Sequence, residues 1–108
     1  MASKGRSKKG GEEQKTGRSA RKRPRAVFTD HFLDDLRWWA QEKPPTAIRV
    51  LELVEAILRE PTTGIGKPER LRHWIGNVWS RRISEEHRLV YEVEGPQVRF
   101  LQARYHYD

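Results

Sequence analysis

Apolar side chains recur along this chain with two different periods, and the change between them falls near Pro61. From Asp30 the spacing is helical: Leu33, Leu36 and Ala40 share one face, with Phe32 and Trp39 beside it. Asp30 has the short acceptor side chain of an N-cap, so the pattern predicts a helix over about 31–42. Lys43-Pro44-Pro45-Thr46 interrupts it, and Thr46 can cap a second helix. There Ile48, Leu51, Val54 or Glu55, and Leu58 keep the helical interval, while Val50 and Ile57 widen the stripe. Pro61 stops that helix at about Glu60. Two helices joined by so short a turn form a hairpin.

Beyond Pro61 the pattern alternates. Thr62 to Lys67 is loop-like, and Pro68 keeps the segment irregular. Trp79–Ile83, His87–Glu94 and Gln97–Tyr105 read as strands, with Gly95-Pro96 turning between the last two. Ala26–Thr29 is a fourth, short strand ahead of the helices. The order β-α-α-β-β-β predicts an α+β fold in which two N-terminal helices pack on one face of a small antiparallel sheet. The last strand runs into Arg104-Tyr105-His106-Tyr107-Asp108, so sheet pairing, near a sheet edge, is expected to tie the terminus down.

Charge divides the chain differently. Residues 1–25 hold ten Lys and Arg against Glu12 and Glu13, a net of +8, while residues 26–108 hold the other 12 basic and 13 acidic side chains, a net of −1. The whole excess of +7 therefore lies in a basic tail that has almost no apolar side chain after Met1. Such a tail cannot bury enough surface to offset its ordering entropy and is expected to be disordered. Either it is a solubilising leader, or it is attracted to nucleic-acid phosphates. Residues 26–108 form the one domain that 108 residues allow. With no cysteine and no apolar run of membrane-spanning length, a soluble cytoplasmic protein is expected, and no thiolate metal site is available.

Within the domain the cations gather in one stretch. Lys67, Arg70, Arg72, Arg81, Arg82 and Arg88 are interleaved with His73, Trp74 and Trp79. Cations recognise phosphate and aromatic faces stack on bases, a combination used for single-stranded RNA. An ordinary solvated face, with Glu85 and Glu86 pairing some of the arginines, explains the composition equally well. Arg82 and Arg88 flank the turn Ser84-Glu85-Glu86-His87 and can project near each other, which suits an anionic ligand. His31 and His73 read as surface residues, His87 as satisfying a turn, and His106 as a catalytic candidate at an ordered terminus. No histidine pair has metal-ligand spacing, and GIGKPE lacks the form of a phosphate-binding loop.

Three strings carry a resemblance: GKPERL, then WSRRISEEHRLVYEV, then the terminal RYHY. In that order and separation they closely resemble the Txe/YoeB toxins of the RelE/ParE superfamily, over about residues 27–107. The resemblance implies a ribosome-dependent mRNA endoribonuclease (mRNA interferase), the toxin of a type II toxin–antitoxin pair in a bacterial cytoplasm. It implies Glu69 as general base, Arg88 as the group stabilising transition-state charge, and Arg82 as a phosphate ligand. It further implies His106 as the proton donor and Tyr107 as a substrate-orienting residue, with no metal or cofactor. Arg72 stands where the family often has lysine, which keeps the charge but changes its hydrogen-bond geometry. Asp108 departs from a family pattern that commonly ends at the tyrosine. With Lys67 and Arg81, Arg72 and Arg82 complete the expected RNA contacts. The implied partners are mRNA on the ribosome and a cognate YefM/Phd-type antitoxin; a homodimer stays open. A gyrase poison of the same fold and a non-catalytic RNA-binding module are the alternatives.

Overall fold

Thr29, rather than Asp30, caps the first helix. In the computed structural model, which describes residues 23–105, Thr29 is extended and its Oγ1 accepts from the Phe32 amide at 3.0 Å. The same hydroxyl lies 3.1 Å from the carbonyls of Phe100 and Leu101, which fastens the start of the helix to the sheet. Helix α1 then spans Asp30–Glu42, and Asp30 occupies its first turn, where a carboxylate complements the helix dipole. Helix α2 begins earlier than the expected Thr46 cap, at Pro44, and runs to Arg59. Two prolines open it without penalty, because the first amides of a helix have no intrahelical partner to lose.

Among the described residues five strands accompany the helices: β1 (Arg25–Phe28), β2 (Glu69–Arg70), β3 (Val78–Arg82), β4 (Arg88–Glu94) and β5 (Gln97–Gln102). They form one sheet in the order β1-β5-β4-β3-β2. The sheet is mixed rather than antiparallel throughout, because β1 runs parallel to β5 with Ala26 opposite Val98 and Phe28 opposite Phe100. The helical hairpin between β1 and the rest of the sheet is the long crossover that parallel pairing requires. Strand β2 is too short to leave a periodic trace in the sequence. The last strand is also not at an edge: β5 lies between β1 and β4.

That last strand stops at Gln102, three residues before its expected end. Ala103 and Tyr105 are held by side chains instead. Asp35 Oδ2 accepts the Ala103 amide at 2.8 Å, and Trp39 Nε1 donates to the Ala103 carbonyl at 2.7 Å. His87 Nδ1 accepts the Tyr105 amide at 2.7 Å, and the Arg88 amide donates to the Tyr105 carbonyl at 3.2 Å. The expectations for the basic tail up to Lys22, and for His106, Tyr107 and Asp108, lie outside the described residues. The tail's last residue, Arg25, is already part of β1, with its amide donating to Pro96 O at 2.9 Å.

Between the helices and the sheet lies the main core. Phe32, Val50, Leu53, Ile57, Leu89, Tyr91, Val98 and Phe100 have no exposed surface there. Burying each such side chain contributes about 1.5–3 kcal/mol. The opposite face of the sheet carries a small cluster of Leu71, Val78 and Val90, with Trp74 and Leu101 packed on it. Strand register places Glu69, Ser80, Arg82 and Arg88 on that same face.

Candidate functional site

Glu69 stands at the end of a loop whose path is set by a buried cation. Arg81 has no exposed surface, and its guanidinium donates to the carbonyls of Glu60 at 2.6 Å, Thr63 at 2.8 Å and Ile65 at 3.0 Å. Its Nε meets the Tyr91 hydroxyl at 3.2 Å, and that hydroxyl donates to Pro61 O at 2.6 Å. Burial pushes the Tyr91 hydroxyl pKa above its ordinary value, against the opposing pull of Arg81. Arg81 therefore cannot serve as the RNA contact that the sequence pattern suggested. In the strand it alternates with Ser80 and Arg82, so its side chain enters the helix-side core while theirs face the other way.

On that other face, strand register brings three elements together. Glu69 in β2 pairs with Ser80 in β3, Ser80 with Val90 in β4, and Arg82 with Arg88. Arg88 NH1 lies 3.6 Å from Glu69 Oε1 and 3.4 Å from Ser80 Oγ. The arginine side chain is mostly buried, at 15% exposure, whereas the glutamate is 59% exposed. The pair thus has an anchored cation and an accessible carboxylate. The acid beside Arg88 is thus an exposed one rather than a buried partner. Arg82, directly opposite, has its Nε shielded from solvent and without a hydrogen-bond partner. A guanidinium so placed beside a second one favours an anion between them.

The outer cations flank this centre. Lys67 is exposed and adopts a left-handed backbone (φ 52°), two residues before Glu69. Arg70 and Arg72 are exposed on the other side, and the intervening Leu71 is anchored through its amide to Val78 O at 2.8 Å. The tryptophans between them are packed rather than presented for stacking. Trp79 lies against the main core with its Nε1 on Asn77 Oδ1 at 2.9 Å, and Trp74 covers the small cluster. His73 and His31 are exposed, as expected.

Residues 103–105 reach the same region from the β4 side, where Tyr105 O accepts the Arg88 amide. His87 satisfies more than its turn: its ring also meets the edge of Trp39, with centroids 4.8 Å apart. Arg104 lies over Trp38 at 3.7 Å and over Tyr105 at 4.6 Å. The peptide bonds of residues 103–105 are thereby fixed immediately ahead of His106 and Tyr107, which themselves fall outside the described residues.

Sequence reasoning missed Ser80, Asp35 and Trp39 as contributors. Asp35 had a visible signal, because it is a carboxylate at helical spacing between the apolar Phe32 and Trp39. A charge on a core-facing stripe is costly unless it is bonded, so it needs a partner. Ser80 gave only a small polar residue inside a strand.

The chain matches the family model described as "YoeB-like toxin of bacterial type II toxin-antitoxin system" over residues 28–107. It is 42% identical over 83 residues to the Toxin YoeB of Streptomyces coelicolor, a match covering 77% of this chain and 99% of that one. Among solved structures it resembles the YoeB dimer from Staphylococcus aureus, with a TM-score of 0.72 and 33% identity over 80% of this chain and 100% of the other. The YoeB–YefM complex from the same organism superposes with a TM-score of 0.68, again at 33% identity, over 80% and 100% of the two chains.

Proposed function

We propose a function from one premise: the chain belongs to the YoeB-like toxin family of bacterial type II toxin–antitoxin systems. It is a ribosome-dependent mRNA endoribonuclease that silences translation in the bacterial cytoplasm by cutting message. The observation that carries this reading is the Glu69–Arg88 contact, 3.6 Å across Ser80, on a sheet face that also presents Arg82.

RNA holds its own nucleophile, the 2′-hydroxyl beside each phosphate. Cleavage needs that proton removed, the charge of the phosphorane stabilised, and a proton given to the leaving 5′-oxygen. Glu69 is the base: its carboxylate is exposed to an incoming strand yet oriented by Arg88. Arg88 and Arg82 receive the non-bridging oxygens, and the unpartnered Arg82 Nε gains a bond in doing so. His106 donates the proton and Tyr107 orients the substrate. Lys67 and Arg72 guide the message backbone on either side. The products carry a 2′,3′-cyclic phosphate and a 5′-hydroxyl. Side chains fill each role, so the mechanism calls for no metal or cofactor. The ribosome contributes by holding the mRNA in an in-line geometry.

A toxin that cuts message must be held in check, and an acidic YefM/Phd-type antitoxin fits. YefM is the partner in the related Staphylococcus aureus complex. It inhibits by covering or displacing the chain's end, taking the proton donor from the site without unfolding the core. A homodimer is the second assembly to examine, since the related protein was solved as a dimer.

Translation of a defined message in a cell-free extract tests the reading. An endoribonuclease leaves new mRNA ends, a gyrase poison leaves the message intact, and a simple RNA binder slows translation without new ends. Intact message in an extract where translation has stopped would sink it.

A further inference from the structure

Arg81 is the largest fully buried side chain among the described residues, and no carboxylate among them pairs with it. A buried cation is expensive, and an apolar residue of similar volume often serves stability as well or better. What an apolar residue cannot do is collect carbonyls. Arg81 holds those of Glu60, Thr63 and Ile65, and through the Tyr91 hydroxyl it reaches that of Pro61.

The loop is moulded to this cation along its whole length. At Gly64 (φ +123°) an added Cβ would lie 3.0 Å from Arg81 NH1. At Gly66 (φ +84°) it would lie 2.8 Å from Leu53 and 3.1 Å from Arg81 Cβ. Gly66 O then accepts the Arg82 amide at 2.6 Å, and Lys67, at φ 52°, turns the chain into Pro68 and Glu69. Only two residues separate the last clasped glycine from the carboxylate. Strand β2, which carries that carboxylate, has two residues and little rigidity of its own.

We propose that Arg81, with Tyr91, is a positioning residue for the cleavage reaction: it fixes the 60–66 loop and so sets the reach of Glu69 toward Arg88. The inference rests on the reading of Glu69 as the base. It separates the two neighbouring arginines by role, Arg82 toward the substrate and Arg81 toward the loop.

The test is single-turnover cleavage of ribosome-bound mRNA by the full chain, with thermal unfolding measured on the same samples. Arg81→Lys keeps the charge but cannot span all the carbonyls, and is expected to lower the maximal rate about 10- to 100-fold. Half-saturation by ribosomes should change less than about two-fold, since a uniform loss of binding is not involved. Tyr91→Phe keeps the ring but removes the hydroxyl's bonds to Pro61 O and to Arg81 Nε, and should lower the rate several-fold. Both variants should also shift the acidic limb of the pH–rate profile, which a purely structural defect would leave in place.

Glu69→Gln separates the two failures. If it cuts as fast as the parent, the cleavage reading has failed. If it is inactive while folded Arg81→Lys keeps the parental rate and pH profile, the positioning role is overturned. Should Arg81→Lys not fold, Tyr91→Phe decides on the same two readouts.

Discussion

Glu69 and Arg88 come from strands that are not neighbours, yet their side chains meet 3.6 Å apart over the strand between them. The contact is possible because Ser80 lies between them and is small, so Arg88 passes over it, with NH1 3.4 Å from the hydroxyl. A lysine at position 88 would keep the charge but lose the planar fork that reaches a carboxylate, a hydroxyl and a phosphate together. Arg88→Lys is therefore expected to lower mRNA cleavage about 10²–10³-fold. Its thermal midpoint should change little, because a pair with so exposed a carboxylate contributes only about 0–1 kcal/mol. Cleavage kinetics beside a melting curve check both statements.

Asp35 anchors Ala103 to α1. Asp35→Ala leaves the Ala103 amide buried without its acceptor, since Ala103 has no exposed surface. The expected cost is about 1–3 kcal/mol in urea unfolding. Cleavage should fall as well, because the same bond fixes the backbone that leads to His106. Asp35→Asn, which retains an oxygen acceptor, should recover most of the stability.

These contacts mark where the sequence was legible. Helical spacing around Phe32, Val50 and Ile57 and the alternation through Leu89 and Tyr91 report directly which faces are buried. The two helices and four of the five strands among the described residues, β1 included, were legible in the sequence. Strand β2 could not be read, because two residues show no period, and its pairing is decided by the register of Glu69 on Ser80. The parallel pairing of β1 was equally hidden, since alternation says which face is buried but not which strand lies alongside. In the site, Glu69, Arg82 and Arg88 could be named from their motifs, and strand register brings them onto one face. Arg81 was misjudged for a physical reason. Composition counts cations without saying which side of a strand each leaves, and in this strand alternation sends Arg81 inward and Arg82 outward.

Tyr91 should give the protein an alkaline stability limb. Its pKa is raised in the folded state by burial, so the folded chain holds that proton more tightly than the unfolded chain does. The contribution is fully present below the unfolded value of ~10 and is lost as pH rises through the higher folded value. Tyr91→Phe has no proton to lose there. Its stability, measured by denaturant titration, should fall less steeply above about pH 10 than that of the parent.

The basic tail should be dispensable for folding if the cut respects β1. A chain beginning at Arg23 keeps Arg25 and its bond to Pro96 O, whereas one beginning at Ala26 loses it. The first is expected to melt with the parent and to cut mRNA. Removing residues 1–22 takes away eight Lys and Arg, so ribosome affinity should weaken and its salt dependence flatten. Titrations at two salt concentrations measure both effects.

The central claim is that Glu69 acts as a base on ribosome-bound message. Its most direct test is to map and chemically identify the ends of a defined mRNA on purified ribosomes, comparing the parent with Glu69→Gln. The glutamine has nearly the same size and cannot take a proton, and the exposed site tolerates it without unfolding. The parent should release fragments with 2′,3′-cyclic phosphate and 5′-hydroxyl ends, while Glu69→Gln binds the same ribosomes and cuts about 10²–10⁴-fold more slowly. Cleavage by Glu69→Gln at the parental rate, or fragments ending in a plain 3′-hydroxyl and a 5′-phosphate, would contradict the account.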